Sequence, residues 1–395
     1  MPEIPDGGGV PSLAVVAREW GRLGCIGFGG PPAHIGLLRE LCVRRRRWLR
    51  AEEFEDAIAA CNLLPGPAST QLAIFCAWRV RGRTGALVGG LAFIFPGLLA
   101  ILALGALFLA GSPPAWIRGA GAGAGAAVAA VAARTGVTLL AASRRRADEG
   151  TGGNGEPRFW VYLAVGGLTG AVAGPWLVLA LVACGGVEVG WRRARARAAP
   201  RAHRSTLLPV LAAAAPAVGG LGALAWVALK VGALSYGGGF VIVPLMQHDA
   251  VTRYHWMSGG QFLNAVALGQ VTPGPLVQTV AVVGYAAAGV GGGLLAAAVA
   301  FAPSFAFVLG GARHFDRLRA NADARSFLGG AGPAAIGAIL GAAVPLGLAL
   351  SEPWQAGVLA GAALLLVARR STVSALLAAG AVGALLGLAG APLPR

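Results

Sequence analysis

The sequence predicts an all-α polytopic membrane protein built from two inverted repeats, with about ten membrane crossings and two re-entrant hairpins broken at Pro-Gly-Pro. Three observations lead there. The 395 residues are 56% hydrophobic and only 12% charged, with mean hydropathy +0.69, too apolar for a soluble chain of this length. Apolar runs of the roughly 17–25 residues needed to cross a bilayer recur along the chain, among them 85–110, 115–142 and 327–350. An internal repeat is the third: Pro65-Gly66-Pro67 returns as Pro273-Gly274-Pro275, and 273 minus 65 is 208.

At that offset, without gaps, Gly24 meets Gly232, Phe28 meets Tyr236, Trp48 meets Trp256, Phe54 meets Phe262 and Ala73 meets Ala281. Compositional bias aligns glycines and alanines by accident, but not tryptophan, phenylalanine and a Pro-Gly-Pro triplet together. The units are expected at 11–190 and 207–390, joined by a basic cytoplasmic linker at 191–206. Each unit reads, in order, as an opening helix, an aromatic-Gly-Gly turn, a polar loop, a Pro-Gly-Pro segment and several plain apolar spans. Tandem units of this kind are a common transporter plan.

Loop charge orients the spans. Arg39, Arg44 to Arg47 and Arg50 precede the first Pro-Gly-Pro segment, and Arg79, Arg81 and Arg83 follow it, so both of its ends are expected on the cytoplasmic side. If the segment dips and returns, the basic clusters at 144–146, 191–204, 313–325 and 369–370 are all cytoplasmic too. Each half then crosses an odd number of times, which inverts the second relative to the first. The opening helix must run inward despite Arg18 and Arg22, the least comfortable part of this scheme.

Other classes are excluded by the same residues. The first ten residues hold no Lys or Arg, so they lack the basic start of a secretory signal peptide and are not expected to be cleaved. Five cysteines without CxxC spacing argue against a disulfide framework or a zinc site, and no metal or other cofactor is expected. The net charge of +16 is dispersed in short clusters between apolar spans, so the partner is the lipid bilayer and not nucleic acid. HExxH, Walker A and Ser/His/Asp patterns are absent from the sequence, which makes an enzyme an unsupported reading. A homodimer stays open as an assembly.

Function is expected where the helices break. Two prolines around a glycine open the backbone inside an apolar run, and open backbone survives at membrane depth only when buried in protein or lining a wet cavity. Half-helix N-termini there attract an anion; a plain structural kink is the alternative. Asn62, Ser69, Thr70 and Gln71 flank the first break, and Gln270, Thr272, Gln278 and Thr279 the second, all neutral and able to hydrogen-bond an oxyanion. Gly29-Gly30 and Gly237-Gly238, each after an aromatic residue (Phe28, Tyr236), let backbone amides approach a ligand. Arg22 and Lys230, one offset apart inside apolar stretches, are candidate anion ligands, against snorkelling or, for Arg22, pairing with Glu19.

These strings carry a resemblance. Phe28-Gly29-Gly30-Pro31-Pro32-Ala33-His34-Ile35, Asn62-Leu63-Leu64-Pro65-Gly66-Pro67-Ala68-Ser69-Thr70-Gln71-Leu72, the segment Ser235 to Leu245 and Gln270-Val271-Thr272-Pro273-Gly274-Pro275-Leu276 resemble the paired signatures of the chromate ion transporter family in its long, two-domain form. The resemblance covers both halves, roughly 11–388. It implies export of chromate from the bacterial cytoplasm through the inner membrane, driven by the membrane potential or proton gradient and conferring resistance. It carries Gly29, Gly30, Pro65, Gly66 and Pro67, with Gly237, Gly238, Pro273, Gly274 and Pro275, as family positions. Sulfate, another tetrahedral oxyanion, stays open as substrate, as does a passive anion channel or a non-transporting membrane protein.

Overall fold

The computed structural model is helical, without strands among the described residues, and its elements return at the spacing of the sequence repeat. It describes residues 10–109, 111, 113–151, 156–172, 176–197, 220–235, 239–311 and 321–394. α1 (Leu13–Ile26) starts at Ser12, whose hydroxyl accepts from the Val15 amide at 3.3 Å. α2 (Pro31–Arg39), with prolines in its first turn, runs into a π-helical turn, Glu40–Arg45. Then come α3 (Ala51–Cys61), α4 (Ala68–Phe108), α5 (Ala115–Thr151), α6 (Glu156–Val172) and α7 (Leu177–Arg197).

The second half presents α8 (Leu221–Leu234), α9 (Ile242–Gln247) with a π turn His248–Arg253, and α10 (Gly259–Val271). α11 (Thr279–Gly311), entered through a 3-10 turn Leu276–Gln278, is followed by α12 (Ala322–Leu348), α13 (Pro353–Val367) and α14 (Thr372–Leu388). α8, the second π turn and α10 start 208 residues after α1, the first π turn and α3 (221 − 13, 248 − 40, 259 − 51). Of the expected linker, 191–197 continues α7 and 198–206 lies outside the described residues, as does 207–219 of the second unit.

α4 is two arms and not one rod. Arg81 (φ −143°, ψ 21°) and Gly82 (φ 65°, ψ −155°) leave helical geometry, and the short arm folds back on the long one, so that a Cβ on Gly90 would lie 2.8 Å from Ile74 Cγ1. α11 bends the same way at Ala288 and Gly289. Glu53 at the start of α3 forms an ion pair with Arg79 near the end of the short arm, which closes the base of a helical hairpin whose tip is Pro65-Gly66-Pro67.

α1 and α2 form a second hairpin. Buried Glu19 is held by Arg45 and Arg46, and Trp20 stacks on Trp48 with ring centroids 6.0 Å apart. In the other half Lys230 and buried Asp249 pair between α8 and the π turn, with the charges reversed.

Close glycine contacts give the directions. Gly89 lies beside Val16 and Trp20, and Gly24 beside Phe93, so α1 is parallel to the long arm of α4. Leu221 and Leu224 meet Ala287 and Ala288 around a small cavity, and Gly232 meets Ala300, so α8 is parallel to the long arm of α11. Gly90 touches Phe305 while Gly293 touches Leu102, so the two long arms are antiparallel.

The outer helices are exchanged between halves. α5 packs on α13 and α14, and α12 on α6 and α7. Gly119 and Gly123 press against Gly383, and Gly337 and Gly341 against Leu163 and Gly167, where missing side chains let helix backbones touch.

Among the described residues, four helical segments are long and apolar enough to cross a membrane, Ala68–Phe108, Ala115–Ala141, Leu276–Gly311 and Ala322–Leu348; α8, α13 and α14 are apolar but shorter. The opening helices, expected to cross, have 14 residues each. That is about 21 Å against a hydrocarbon core of about 30 Å.

Candidate functional site

The hairpin tips converge at the centre of the molecule. Gly66 (φ +113°) and Gly274 (φ +105°) turn the backbone through a region that side chains rarely enter, and Pro67 and Pro275, both extended, start the returning arms. Each tip docks into the opposite half. The Gly274 amide donates to the Gly27 carbonyl at 2.9 Å, Gln278 Nε2 donates to the Ile94 carbonyl at 2.8 Å, and the Pro273 carbonyl occupies the space over Gly97.

The first tip docks reciprocally. A Cβ on Gly66 would lie 3.2 Å from the Gly232 carbonyl, 3.5 Å from Ser304 Oγ and 2.7 Å from Gln71 Nε2. Gln71 Nε2 donates to the Pro65 carbonyl at 2.6 Å.

His34 joins the tip of the α1–α2 hairpin to the start of α4. Fully buried, it lies 2.9 Å from the Gly27 carbonyl through Nε2 and 3.2 Å from Ser69 Oγ through Nδ1, edge-on to Phe93. A carbonyl only accepts, so Nε2 carries the hydrogen and Nδ1 accepts from the Ser69 hydroxyl; a neutral imidazole satisfies both.

Several buried polar atoms in this region have no hydrogen-bond partner among the described residues: Thr70 Oγ1, Gln71 Oε1, Ser235 Oγ, Gln278 Oε1 and Ser304 Oγ. Protein interiors rarely leave such atoms unpaired, and their concentration at the tips marks a place suited to a polar ligand.

Most expected residues gather here. Gly66, Pro67, Ser69, Thr70, Gln71, Thr272, Gly274, Pro275 and Gln278 are buried, Gly30, Gln270 and Pro273 half-buried, and Gly29, Asn62 and Pro65 exposed. Gly29 and Gly30 (φ +98° and +75°) make the turn into α2. Tyr236, Gly237 and Gly238 lie outside the described residues.

The two cations are placed differently from the expectation. α1 turns Val16, Glu19, Trp20, Leu23 and Gly24 inward, so Arg22 is exposed on its outward face and is not brought to the tips. Nor does it pair with Glu19, which Arg45 and Arg46 hold instead. Lys230 is half-buried and already neutralised by Asp249.

His34, Asp249 and Ser304 were not singled out by the sequence. His34 lies within a quoted string, and Ser304 follows Pro303 as Gly97 follows Pro96, a match visible only at an offset of 207 (304 − 97).

Apolar helices enclosing a polar centre of broken backbone define a multi-pass membrane transport protein. The chain belongs to the chromate transporter family, which it matches over residues 14–188 and again over 222–388. It is 33% identical over 337 residues to a chromate transport protein of Cupriavidus metallidurans, covering 82% of this chain and 80% of that one. It is 30% identical over 358 residues to a chromate transport protein of Pseudomonas aeruginosa (84% and 80%) and 28% over 342 residues to a probable chromate transport protein of Synechococcus elongatus (85% of each). No solved structure matches the chain.

Proposed function

We propose that this protein is a secondary active transporter that exports chromate across the bacterial inner membrane, driven by the membrane potential or proton gradient, and thereby confers chromate resistance. The observation that carries this reading is the convergence of broken hairpin tips, with their buried and unpartnered polar atoms, at the centre of an otherwise apolar helical body. Family membership supports chromate as the substrate.

The antiparallel long arms support two inverted halves. Arg79 and Arg81 at the bend of α4, Arg193 paired with Asp323, and Arg369-Arg370 between α13 and α14 gather at basic ends, which are assigned to the cytoplasm. The start of α5, the α12–α13 connection and Trp354, bonded to the Pro392 carbonyl at 2.9 Å, belong to the opposite face.

In this arrangement α1–α2, α3 with the short arm of α4, α8–α9 and α10 with the short arm of α11 dip to mid-membrane. The two long arms, α5, α6, α7, α12, α13 and α14 cross, and the further crossing that inversion requires between α7 and α8 falls at 198–219, outside the described residues. The opening helices therefore join the hairpins instead of the crossings, and α1 enters from the basic face, where Arg18 is at home.

The test is uptake of radiolabelled chromate into inside-out vesicles with and without the protein, energised and de-energised, with excess sulfate as competitor. Energy-dependent accumulation confined to protein-bearing vesicles is expected. Equilibration without accumulation would mean a channel, and inhibition by sulfate a broader oxyanion site.

A further inference from the structure

We propose that the two Pro-Gly-Pro tips are unequal: the oxyanion is held at the first, by the N-terminal amides of α4 and the hydroxyls of Thr70 and Ser304, while the second is a clasp between the halves. This rests on the transport reading and narrows its site to one tip.

The second tip has spent its glycine amide and its hydroxyls, although the Leu276 and Val277 amides, like those of Ala68 and Ser69 at the first tip, meet no acceptor among the described residues. The Gly274 amide is given to Gly27 and Gln278 Nε2 to Ile94. The hydroxyls of Thr272 and Thr279 go to the carbonyls of Leu268 and Leu276, at 2.7 and 2.8 Å. Gln278 Oε1, unpartnered among the described residues, is an acceptor and has its like at the first tip in Gln71 Oε1, so the tips differ in their donors and not in their acceptors.

The first tip has kept its donors. Among the described residues no acceptor meets the amides of Gly66, Ala68 or Ser69, and Pro67, the N-cap of α4, offers no side chain to them. Thr70 Oγ1 and Ser304 Oγ are donors without a partner on side chains with no exposed surface, and Ser304 is directed at Gly66. An N-terminus with about half a positive charge, flanked by two unspent hydroxyls, suits a tetrahedral oxyanion. Gln71 Oε1 alongside accepts a water or the proton of a hydrogen-oxyanion.

The difference is written in the chain itself. Where α11 has Ser304 after Pro303, α4 has Gly97 after Pro96, and the Pro273 carbonyl fills the space that a side chain would need. One half thus supplies a hydroxyl to its partner's tip, and the other supplies a socket. Ser69, whose hydroxyl is engaged by His34, positions the start of α4.

The experiment uses the full chain in proteoliposomes and measures KM and maximal rate for chromate, together with the shift in melting temperature of the detergent-solubilised protein over a chromate series. Ser304→Ala and Thr70→Val are expected to raise KM, and the chromate concentration for half-maximal thermal shift, about tenfold or more, as for one lost hydrogen bond to a charged group. Ser304→Thr, which keeps the hydroxyl, retains more of the affinity than Ser304→Ala. Ser326→Ala removes a buried hydroxyl already bonded to the Ala322 carbonyl, away from the tips, and leaves both values within about twofold. Wild-type affinity in Ser304→Ala and Thr70→Val, with the parent protein transporting, overturns the assignment to the first tip. A parent protein that neither transports chromate nor is stabilised by it overturns the transport reading itself.

Discussion

Gly66 and Gly274 hold a backbone conformation that costs about 1–3 kcal/mol for any other residue, and at Gly66 a new methyl group would also crowd Gln71 Nε2 at 2.7 Å. Gly66→Ala is expected to bring chromate uptake below roughly a tenth of the parent rate, with a fluorescent fusion reporting that the protein still inserts. Lys230 calls for a paired experiment. Lys230→Met strands the buried Asp249 carboxylate and is expected to cost about 3–5 kcal/mol in thermal unfolding, whereas Lys230→Met with Asp249→Leu recovers most of it. Transport by that stable double variant tells whether Lys230 touches the anion: loss places it in the site, retention makes the pair purely structural. The sequence marked Arg22 and Lys230 as candidate anion ligands, because an isolated charge in an apolar run is conspicuous. What neutralises Lys230 was hidden, since Asp249 lies 19 residues away and only the fold brings it back. Ser304 escaped for a different reason: the repeat loses one residue before it, so the 208 offset misses its counterpart.

At the scale of elements, the Pro-Gly-Pro breaks were legible because proline at two positions forbids a continuous helix. The bends at Arg81-Gly82 and Ala288-Gly289 were not, since one glycine in a chain with 63 carries little signal. Those bends decide the architecture, because they let the segments broken at Pro-Gly-Pro fold back as helical hairpins. Cysteines replacing Glu53 and Arg79, which face each other across the hairpin base, are expected to be joined by a short bifunctional maleimide within one chain; failure to cross-link would open the hairpin and return α3 and α4 to spanning helices. The opening helices are shorter than the sequence suggests for a related reason. Apolar residues run on through α1 and into its glycine turn, so the pattern suggests a span, and only the helix end at Ile26 shows how little of it is rod.

For the whole molecule, the repeat and the antiparallel arms follow from features present in the sequence, but the exchange of outer helices does not. Glycine and alanine faces allow close approach without naming the neighbour, so α5 could equally have packed beside α6. Two separately produced pieces, 1–197 and 198–395, are therefore expected to be degraded when expressed singly and to co-purify when expressed together, as judged by affinity capture of one tagged piece. Stable accumulation of either alone would mean that its exposed glycine faces need no cover. The exchange also sets a timetable for biogenesis. α5, α6 and α7 leave the ribosome well before α12, α13 and α14 exist, so their glycine faces must wait against lipid or a membrane chaperone until the last third of the chain is inserted. Neither half can mature first; the outer helical shell closes only once the last helix has been inserted.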